Sequence, residues 1–311
     1  MRSWASNLSI VLGLALGGIA VIVAAEPRLP EASPIGSAKR QAVLTRVHRQ
    51  FRLADFFKPR RGDPIDFNYY LSPLICQEIV DKSAGRERFF GTVVRDGSNR
   101  FHVERGRPTV YAELRKVTVR GVQRDQLLFV WCYGVSARGR LKAQGLRVTL
   151  DREGYPVIME VLVDSSGLRL VFVSSRLENA AARQFGRALR GCRYAVERPP
   201  EEHPNRLVVR AIDDGPAPMG PYVYLDAASR DVVNLRCRCA SLQVQQFRKS
   251  VAYRFLPLSD LRLLGFRIHF ATGTVQYEVG PRSEEPTACR SDQSRVSAFA
   301  CDRWLRLPSS F

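Results

Sequence analysis

The sequence predicts an α+β fold with a mostly antiparallel β-sheet and few helices, preceded by one apolar amino-terminal helix. Three observations support this prediction. An apolar run occupies Leu8 to Ala25. From residue 89 onward, short segments rich in β-branched and aromatic residues alternate with turn residues, which is typical of strands joined by tight connections. Helical spacing is confined to stretches that begin near Ser37, Ser72 and Ser175, so strands dominate and helices interrupt them.

The apolar run is interpreted as an export or anchoring segment. As a helix it reaches about 27 Å, close to the roughly 30 Å hydrocarbon core of a bilayer. Val23, Ala24 and Ala25 also provide the small residues that signal peptidase accepts. Residues 1–25 are therefore predicted to be a single-pass signal anchor in the cell membrane, with secretion after cleavage behind Ala25 as the alternative. A long domain behind such a segment is expected to be extracytoplasmic, although the cations that follow the run leave an inward-facing domain open.

Residues 26–64 are predicted to form a tether and a basic amphipathic helix. Glu26 to Pro34 is punctuated by proline, which favours an extended tether. Ser37 can cap a helix whose apolar positions, up to Leu53, recur near helical spacing. The cations of this helix contact an anionic membrane surface in one interpretation, and in the other the apolar face packs against the domain. The predicted surface-contact residues are Lys39, Arg40, Arg46, Arg49 and Arg52.

Residues 65–311 are predicted to form a strand-rich region, with a division into two subdomains near residue 144 as one option. A short helix is expected after Ser72, because Pro73 suits a first helical turn. The strands predicted before residue 144 are Phe89 to Val94, Phe101 to Val103, Thr109 to Val119 and Gln126 to Tyr133.

The second half is predicted to place one helix between two groups of strands. Ser175 and Glu178 have the spacing of a capping box, and Gly186 marks the end of the helix. Alternation places Glu160 on an exposed strand face. The predicted strands are Leu146 to Leu150, Val157 to Val163, Leu168 to Val173, Arg193 to Val196, Leu207 to Ile212, Tyr222 to Leu225, Val232 to Cys239, and a hairpin of Phe266 to Phe270 with Thr274 to Val279.

The charge of the chain predicts acidic partners. The net charge is +18, the isoelectric point is about 10.2, and 42 of the 48 basic residues are arginine. Because the arginines are spread along nearly the whole chain, they favour a solvated basic surface over a binding stripe. Anionic phospholipid or an envelope polymer is the expected partner class, and nucleic acid is not, since no nucleic-acid-binding motif is present.

Seven cysteines predict disulfides if the domain is exported. Cys289 and Cys301 enclose a polar loop, which suits a disulfide. Cys237 and Cys239 share a strand face and each needs another partner. The usual two-residue spacings of zinc ligands are absent, so no metal site is predicted. The odd number leaves at least one thiol without an intramolecular partner.

The search for catalytic groups finds few candidates. Neither a nucleophile elbow, a phosphate-binding glycine loop nor a zinc-protease motif is present, and no cofactor is implied. Asp213 and Asp214, at the exit of a strand, are the best acidic cluster, and His269 is the candidate base that accompanies them. A plain turn at Asp213 to Gly215 is the alternative interpretation.

Three functions follow as hypotheses. The leading one is a membrane-associated, extracytoplasmic, non-enzymatic protein that binds or scaffolds an acidic component of the envelope. The second is an envelope hydrolase that uses Asp213, Asp214 and a histidine. The third is an inward-facing protein held at the membrane by the anchor and the basic helix.

Overall fold

Strands make up most of the folded chain. The computed structural model describes residues 34–47, 49, 51, 53–62, 69–80, 85–135, 141–162, 164–198, 207–236, 238, 250–269, 274–277 and 305–311. The strands in chain order are β1 Ala54–Pro59, β2 Leu74–Glu78, β3 Thr92–Arg95, β4 Phe101–Glu104, β5 Thr109–Val119, β6 Val122–Val135, β7 Leu141–Leu150, β8 Pro156–Val161, β9 Arg169–Ser174, β10 Leu207–Ile212, β11 Tyr222–Leu225, β12 Val232–Arg236, β13 Val251–Pro257, β14 Phe266–His269 and β15 Thr274–Tyr277. The helices are α1 Pro34–Arg46, α2 Ser175–Phe185 and α3 Leu258–Leu263, with 3-10 turns at Tyr69–Leu71 and Arg86–Arg88.

One large sheet has the strand order β10-β9-β8-β7-β6-β5-β13-β1-β2-β11-β12. Four pairs of neighbours are parallel, namely β9 with β10, β5 with β13, β13 with β1, and β2 with β11. The remaining neighbours are antiparallel. The predicted α+β fold with a mostly antiparallel sheet is therefore wrong. The fold is mostly β, and its mixed sheet nearly closes on itself.

Three of the four parallel pairings involve strands that the sequence pattern did not predict. β13 is inserted between β5 and β1 and is parallel to both. β2 occupies the segment predicted as a short helix after Ser72, and it is parallel to β11. Ile75, Cys76 and Gln77 are all buried, so β2 lacks the alternation of a half-exposed strand. A short apolar run covered on both faces cannot be distinguished from a buried helix by periodicity, which explains the wrong prediction.

Most strands predicted from residue 89 onward are present, with ends that differ by a few residues. The strands on either side of residue 144 belong to the same sheet, since β6 pairs with β7. The predicted strand Arg193 to Val196 is wrong, because this segment forms turns that end in an isolated bridge between Glu197 and Leu305. The predicted hairpin near Gly273 is confirmed as β14 and β15.

Helix α2 connects β9 to β10 and makes their parallel pairing possible. Its N-cap is Ser174, whose side chain accepts a hydrogen bond from the N–H of Leu177, and it ends at Gly186 with φ 75°. The predicted capping box of Ser175 and Glu178 is wrong, because the N-cap is Ser174 rather than Ser175 and Glu178 binds a later segment. The Glu178 carboxylate accepts hydrogen bonds from the N–H groups of Ala195 and Val196, at 2.8 and 3.0 Å, and so anchors the segment that follows the helix.

Three apolar cores hold the sheet and its covering elements together. The largest lies on one face of the sheet and includes Phe57, Phe129 and Trp131. A second core joins the opposite face to α2 and to the carboxy-terminal residues around Leu305. A third lies under α3 and β14 and includes Phe266. The second core determines where the candidate site is formed.

Helix α1 belongs to the fold, since Val43 and Val47 are buried in the largest core. It ends at Arg46, and so it is shorter than the helix predicted to continue toward Leu53. The predicted apolar helix Leu8 to Ala25 lies outside the described residues. In the described part of the chain, no helix is long and apolar enough to cross a membrane.

Candidate anion-binding pocket

A pocket with a volume of about 290 Å³ lies between the end of α2, the turn that joins β5 to β6, and the carboxy-terminal segment. Every described residue that lines it is either arginine or apolar. These residues are Arg120, Phe185, Arg198, Leu305, Arg306 and Leu307. Arginines that are far apart in sequence therefore converge at one place on the surface.

Arg120 is positioned by a two-residue hairpin turn. Arg120 and Gly121 have φ values of 50° and 82°, as a type I′ connection between two strands requires. Positive φ is uncommon for a residue with a side chain. The Arg120 Nη1 donates a hydrogen bond to the carbonyl of Leu307, at 2.5 Å, so the turn and the carboxy-terminal segment hold each other in place.

Arg306 is the most enclosed cation of the pocket. Its backbone N–H donates to the carbonyl of Val196, at 2.7 Å, next to the bridge between Glu197 and Leu305. Its guanidinium lies 4.4 Å from the centre of the Phe185 ring, within the range of a cation–π contact. Its Nη1 atom is buried and has no hydrogen-bond partner in the described part of the chain. A charged donor is therefore kept away from water without a partner among the described residues.

The surface around the pocket is strongly basic. Between residues 183 and 198, five arginines are exposed, and Glu197 is the one acidic residue of this segment. The exposed arginines are Arg183, Arg187, Arg190, Arg193 and Arg198. We refer to this group as the arginine rim. This local density was the sequence signal for the site, and the interpretation of evenly dispersed charge missed it.

Burial disfavours the charged forms of the carboxyl and thiol groups nearest the pocket, Glu197 and Cys192. Burial raises the pKa of Glu197, although the Arg193 N–H and the Arg40 guanidinium act in the opposite direction. Burial, with a smaller contribution from Glu197, raises the pKa of the Cys192 thiol to about 11. The thiol is therefore protonated at neutral pH and is a poor nucleophile. The arrangement suits the binding of an anion rather than covalent catalysis.

The predicted catalytic carboxylates line a different and smaller cleft of about 30 Å³, between the ends of β10 and β12. Asp213 is exposed there. Asp214 accepts hydrogen bonds from the Ser175 hydroxyl at 2.8 Å and from the Arg176 N–H at 2.6 Å, so it caps the first turn of α2. The backbone of His269 pairs with Thr274 in the separate hairpin. His269 is not among the described residues that line the cleft.

Of the predicted membrane-contact residues, some are exposed to solvent and others contact carboxylates of the same chain. Lys39 is exposed, and Arg40 lies 4.0 Å from the Glu197 carboxylate. Arg46 contacts the carboxylates of Asp164 and Asp231, of which the latter is at 3.0 Å. Arg49 contacts Glu78 and Asp226, the latter at 2.6 Å. Arg52 lies outside the described residues. Two of the predicted cations therefore bind acidic turns of this chain.

The predicted disulfide residues Cys237, Cys239, Cys289 and Cys301 lie outside the described residues. The other three cysteines are free thiols, with Cys76 and Cys132 buried and Cys192 half-buried. Burial raises the pKa of both buried thiols. In the described ranges, no group of three or more histidine, cysteine or carboxylate side chains is arranged to hold a metal ion.

The prediction that Glu160 is exposed is wrong. Its side chain is 2% exposed and binds Arg147, with 2.5 Å between Oε1 and Nη2. The two residues are neighbours on adjacent strands, in the register of β7 and β8. The covering layer on that face of the sheet is set by tertiary packing, so alternation alone could not show that the face is buried.

No family model, curated protein or solved structure matches this chain.

Proposed function

We propose that this chain is a membrane-associated, extracytoplasmic, non-enzymatic protein that binds or scaffolds an acidic component of the cell envelope, with the arginine pocket as its binding site. The observation that carries the proposal is the pocket lining. Among the described lining residues it contains three guanidinium groups and no carboxylate. Guanidinium groups form paired, charge-assisted hydrogen bonds with oxyanions.

Arg306 supports binding at a defined point rather than diffuse attraction. A buried charged donor without a partner costs about 1–3 kcal/mol or more, because it has lost its hydrogen bonds to water. The Arg306 Nη1 is such a donor among the described residues. An oxyanion that accepts a hydrogen bond from it would remove this cost. The stacked Phe185 ring already orients the guanidinium, which lowers the entropy lost on binding.

The chemistry of the residues that line the pocket supports the non-enzymatic part of the proposal. Arginine stays protonated at physiological pH, so none of the three lining arginines is suited to act as a general acid or base. The Cys192 thiol is protonated, as its pKa of about 11 requires. Asp214 lies in the other cleft and is occupied in capping α2. These facts favour a binding protein over the alternative of an envelope hydrolase.

Membrane association rests on the apolar run Leu8 to Ala25. An exported domain beside a membrane meets anionic lipid and anionic polymer. A net charge of +18 raises the local concentration of such anions and makes their association sensitive to salt.

The experiment measures binding of a fluorescent anionic polymer to the full chain in a neutral detergent, by fluorescence anisotropy at several salt concentrations. Polygalacturonate and polyphosphate serve as anionic probes, and dextran serves as the uncharged one. The pocket variant carries Arg120→Gln, Arg198→Gln and Arg306→Gln. The control variant carries Arg183→Gln, Arg187→Gln and Arg190→Gln, which removes the same charge from the arginine rim outside the pocket lining.

We expect the pocket variant to bind at least one anionic polymer about tenfold more weakly than the control variant does, since charge-assisted hydrogen bonds are lost only in the pocket. Equal losses in the two variants would show that net charge alone attracts the polymer, and would refute the pocket as the site. Binding of dextran as tight as that of the anionic probes would refute recognition of acidic material.

A further inference from the structure

We infer that the group recognised by the pocket is a phosphate ester rather than a carboxylate, with Arg306 as its buried anchor. This inference rests on the proposed function, because it names the class of anion that the same pocket takes. It follows from the number, direction and surroundings of the arginines.

The first argument is geometric. Arg120 comes from the β5–β6 turn, Arg198 from the segment after α2, and Arg306 from the carboxy-terminal segment. Arginines from three separate elements therefore line the same space. A carboxylate has two coplanar oxygens, which a single guanidinium fork can satisfy. A phosphate group is tetrahedral and directs its oxygens toward several sides, so it can accept from three arginines at once.

The second argument is the balance of charge. The described lining carries three positive charges and no negative one. The nearby Glu197 is the one acidic residue of the adjoining segment 183–198, and burial raises the pKa of its carboxyl group. A phosphate monoester carries about −1.5 to −2 charges at neutral pH, whereas a carboxylate carries one. The phosphate group therefore compensates more of the positive charge of the lining.

The third argument concerns the rest of the ligand. A volume of about 290 Å³ is several times that of a phosphate ion and lies near the lower end of the volumes of pockets that take small molecules. The remaining wall is apolar and consists of Phe185, Leu305 and Leu307. The phosphate is therefore expected on a small carbon skeleton, such as a polyol or sugar. Such a group occurs both in soluble polyol phosphates and in the headgroup of a phospholipid.

Calorimetric titration of the full chain in neutral detergent tests this inference. The probes are inorganic phosphate, glycerol 3-phosphate and, as a carboxylate of comparable charge, succinate, all at equal ionic strength. The variants are Arg306→Gln and Arg306→Lys, which keeps the charge but lacks the fork. Arg190→Gln, on the arginine rim outside the pocket lining, is the matched control.

We expect glycerol 3-phosphate to bind at least about tenfold more tightly than succinate, and both Arg306 variants to lose about tenfold or more in affinity for it. Arg190→Gln is expected to change that affinity less than about twofold, because an exposed charge outside the pocket acts only through a screened field. If Arg306→Gln lowers the thermal midpoint of unfolding, Arg198→Gln serves as the pocket variant instead, since Arg198 is exposed.

Flotation of the full chain with phosphatidylcholine vesicles, with and without phosphatidylglycerol, separates a lipid source from a soluble one.

Succinate binding as tight as that of glycerol 3-phosphate would overturn the inference, and so would equal losses in Arg306→Lys and Arg190→Gln. Pocket-dependent binding of polygalacturonate without a preference for phosphate would overturn this inference and leave the proposed function standing. If the pocket variants bind every anionic polymer and small anion as tightly as their control variants do, both this inference and the proposed function are overturned.

Discussion

Arg147 and Glu160 form the best enclosed ion pair in the described structure, with side chains 4% and 2% exposed. Arg169 approaches the same carboxylate at 3.9 Å. Two charges removed from water are expensive to bury, and their mutual attraction compensates for this cost only while both are present. The pair therefore tests how strongly a buried charge depends on its partner.

We expect Glu160→Leu to lower the free energy of unfolding by about 3–5 kcal/mol, because Arg147 would remain buried and charged. The double variant Arg147→Met with Glu160→Leu is expected to regain most of that loss. Urea denaturation at neutral pH measures both values. Glu153→Gln is the control, since Glu153 pairs with Arg176 at the surface and its loss is expected to cost less than about 1 kcal/mol. A double variant as unstable as the single one would contradict the expectation.

Glu197 is the opposite case, a buried carboxyl group whose environment disfavours ionisation. Burial raises its pKa, and its Oε1 has no hydrogen-bond partner among the described residues. A carboxyl group with a raised pKa in the folded state binds its proton more tightly there than in the unfolded chain. Its contribution to stability is therefore complete below the unfolded pKa of about 4.3 and is lost as the pH rises through the folded pKa.

Glu197→Gln should accordingly be more stable than the natural chain at pH 7 and similar to it near pH 4. The amide keeps an acceptor for the Arg193 N–H, which the carboxylate now accepts at 3.2 Å. Urea denaturation at both pH values measures the difference. A variant less stable than the natural chain at pH 7 would show that the attraction between Glu197 and Arg40 outweighs the cost of burial.

At the scale of elements, the amphipathic helix α1 uses both its apolar and its basic residues to contact the rest of the fold. Its apolar residues Val43 and Val47 are buried in the main core. Arg46, on the same helix, joins the loop between β8 and β9 at Asp164 to the turn between β11 and β12 at Asp231. The Asp231 carboxylate also accepts from the N–H of Ser165, at 3.0 Å. The basic residues of an amphipathic helix can thus be required by the fold itself.

Arg46→Gln is expected to reduce the free energy of unfolding by about 2 kcal/mol or more, since it leaves two largely buried carboxylates without their guanidinium partner. Lys39→Gln, on the exposed side of the same helix, is expected to change it by less than about 0.5 kcal/mol. Denaturant titration of the two variants compares them directly. Equal effects would indicate that α1 contributes through its apolar face alone.

At the scale of the whole molecule, several carboxylates are occupied by internal partners. Asp55 binds Arg88, Glu113 binds Arg262, and Lys116 binds Asp125. Arginine is in large excess over these acids, so the unmatched charge is positive. The pocket and the arginine rim bring seven of these arginines to one region of the described structure.

The orientation of the chain is tested through Cys192, the half-buried free thiol. We expect a membrane-impermeant maleimide to label Cys192 in intact cells without prior reduction. Labelling should be slow at neutral pH and accelerate about tenfold per pH unit, because the thiol pKa is about 11 and only the thiolate reacts. Peptide mass spectrometry identifies the labelled residue, and Cys192→Ser is the control. Labelling that requires lysis would show that the domain faces inward.

The local sequence was sufficient for elements whose signals are local. The hairpin β14–β15 and the helix α2 were predicted because turn residues, caps and periodicity lie within a few positions of one another. Most strands after residue 89 were predicted for the same reason. The apolar run and the net charge are likewise properties of the chain itself and need no fold to be recognised.

Tertiary structure alone decided the mixed sheet and the pocket. β13 joins β1 to β5 across more than a hundred residues, and no local pattern encodes which distant strands pair or in which direction. Arg120, Arg198 and Arg306 meet only because β9, α2 and β10 form a crossover and the carboxy-terminal segment packs against it. The sequence by itself determined most of the strands after residue 89, the hairpin β14–β15 and the excess of positive charge. Packing between distant segments determined where that charge could act, because burial and proximity are properties of the folded chain.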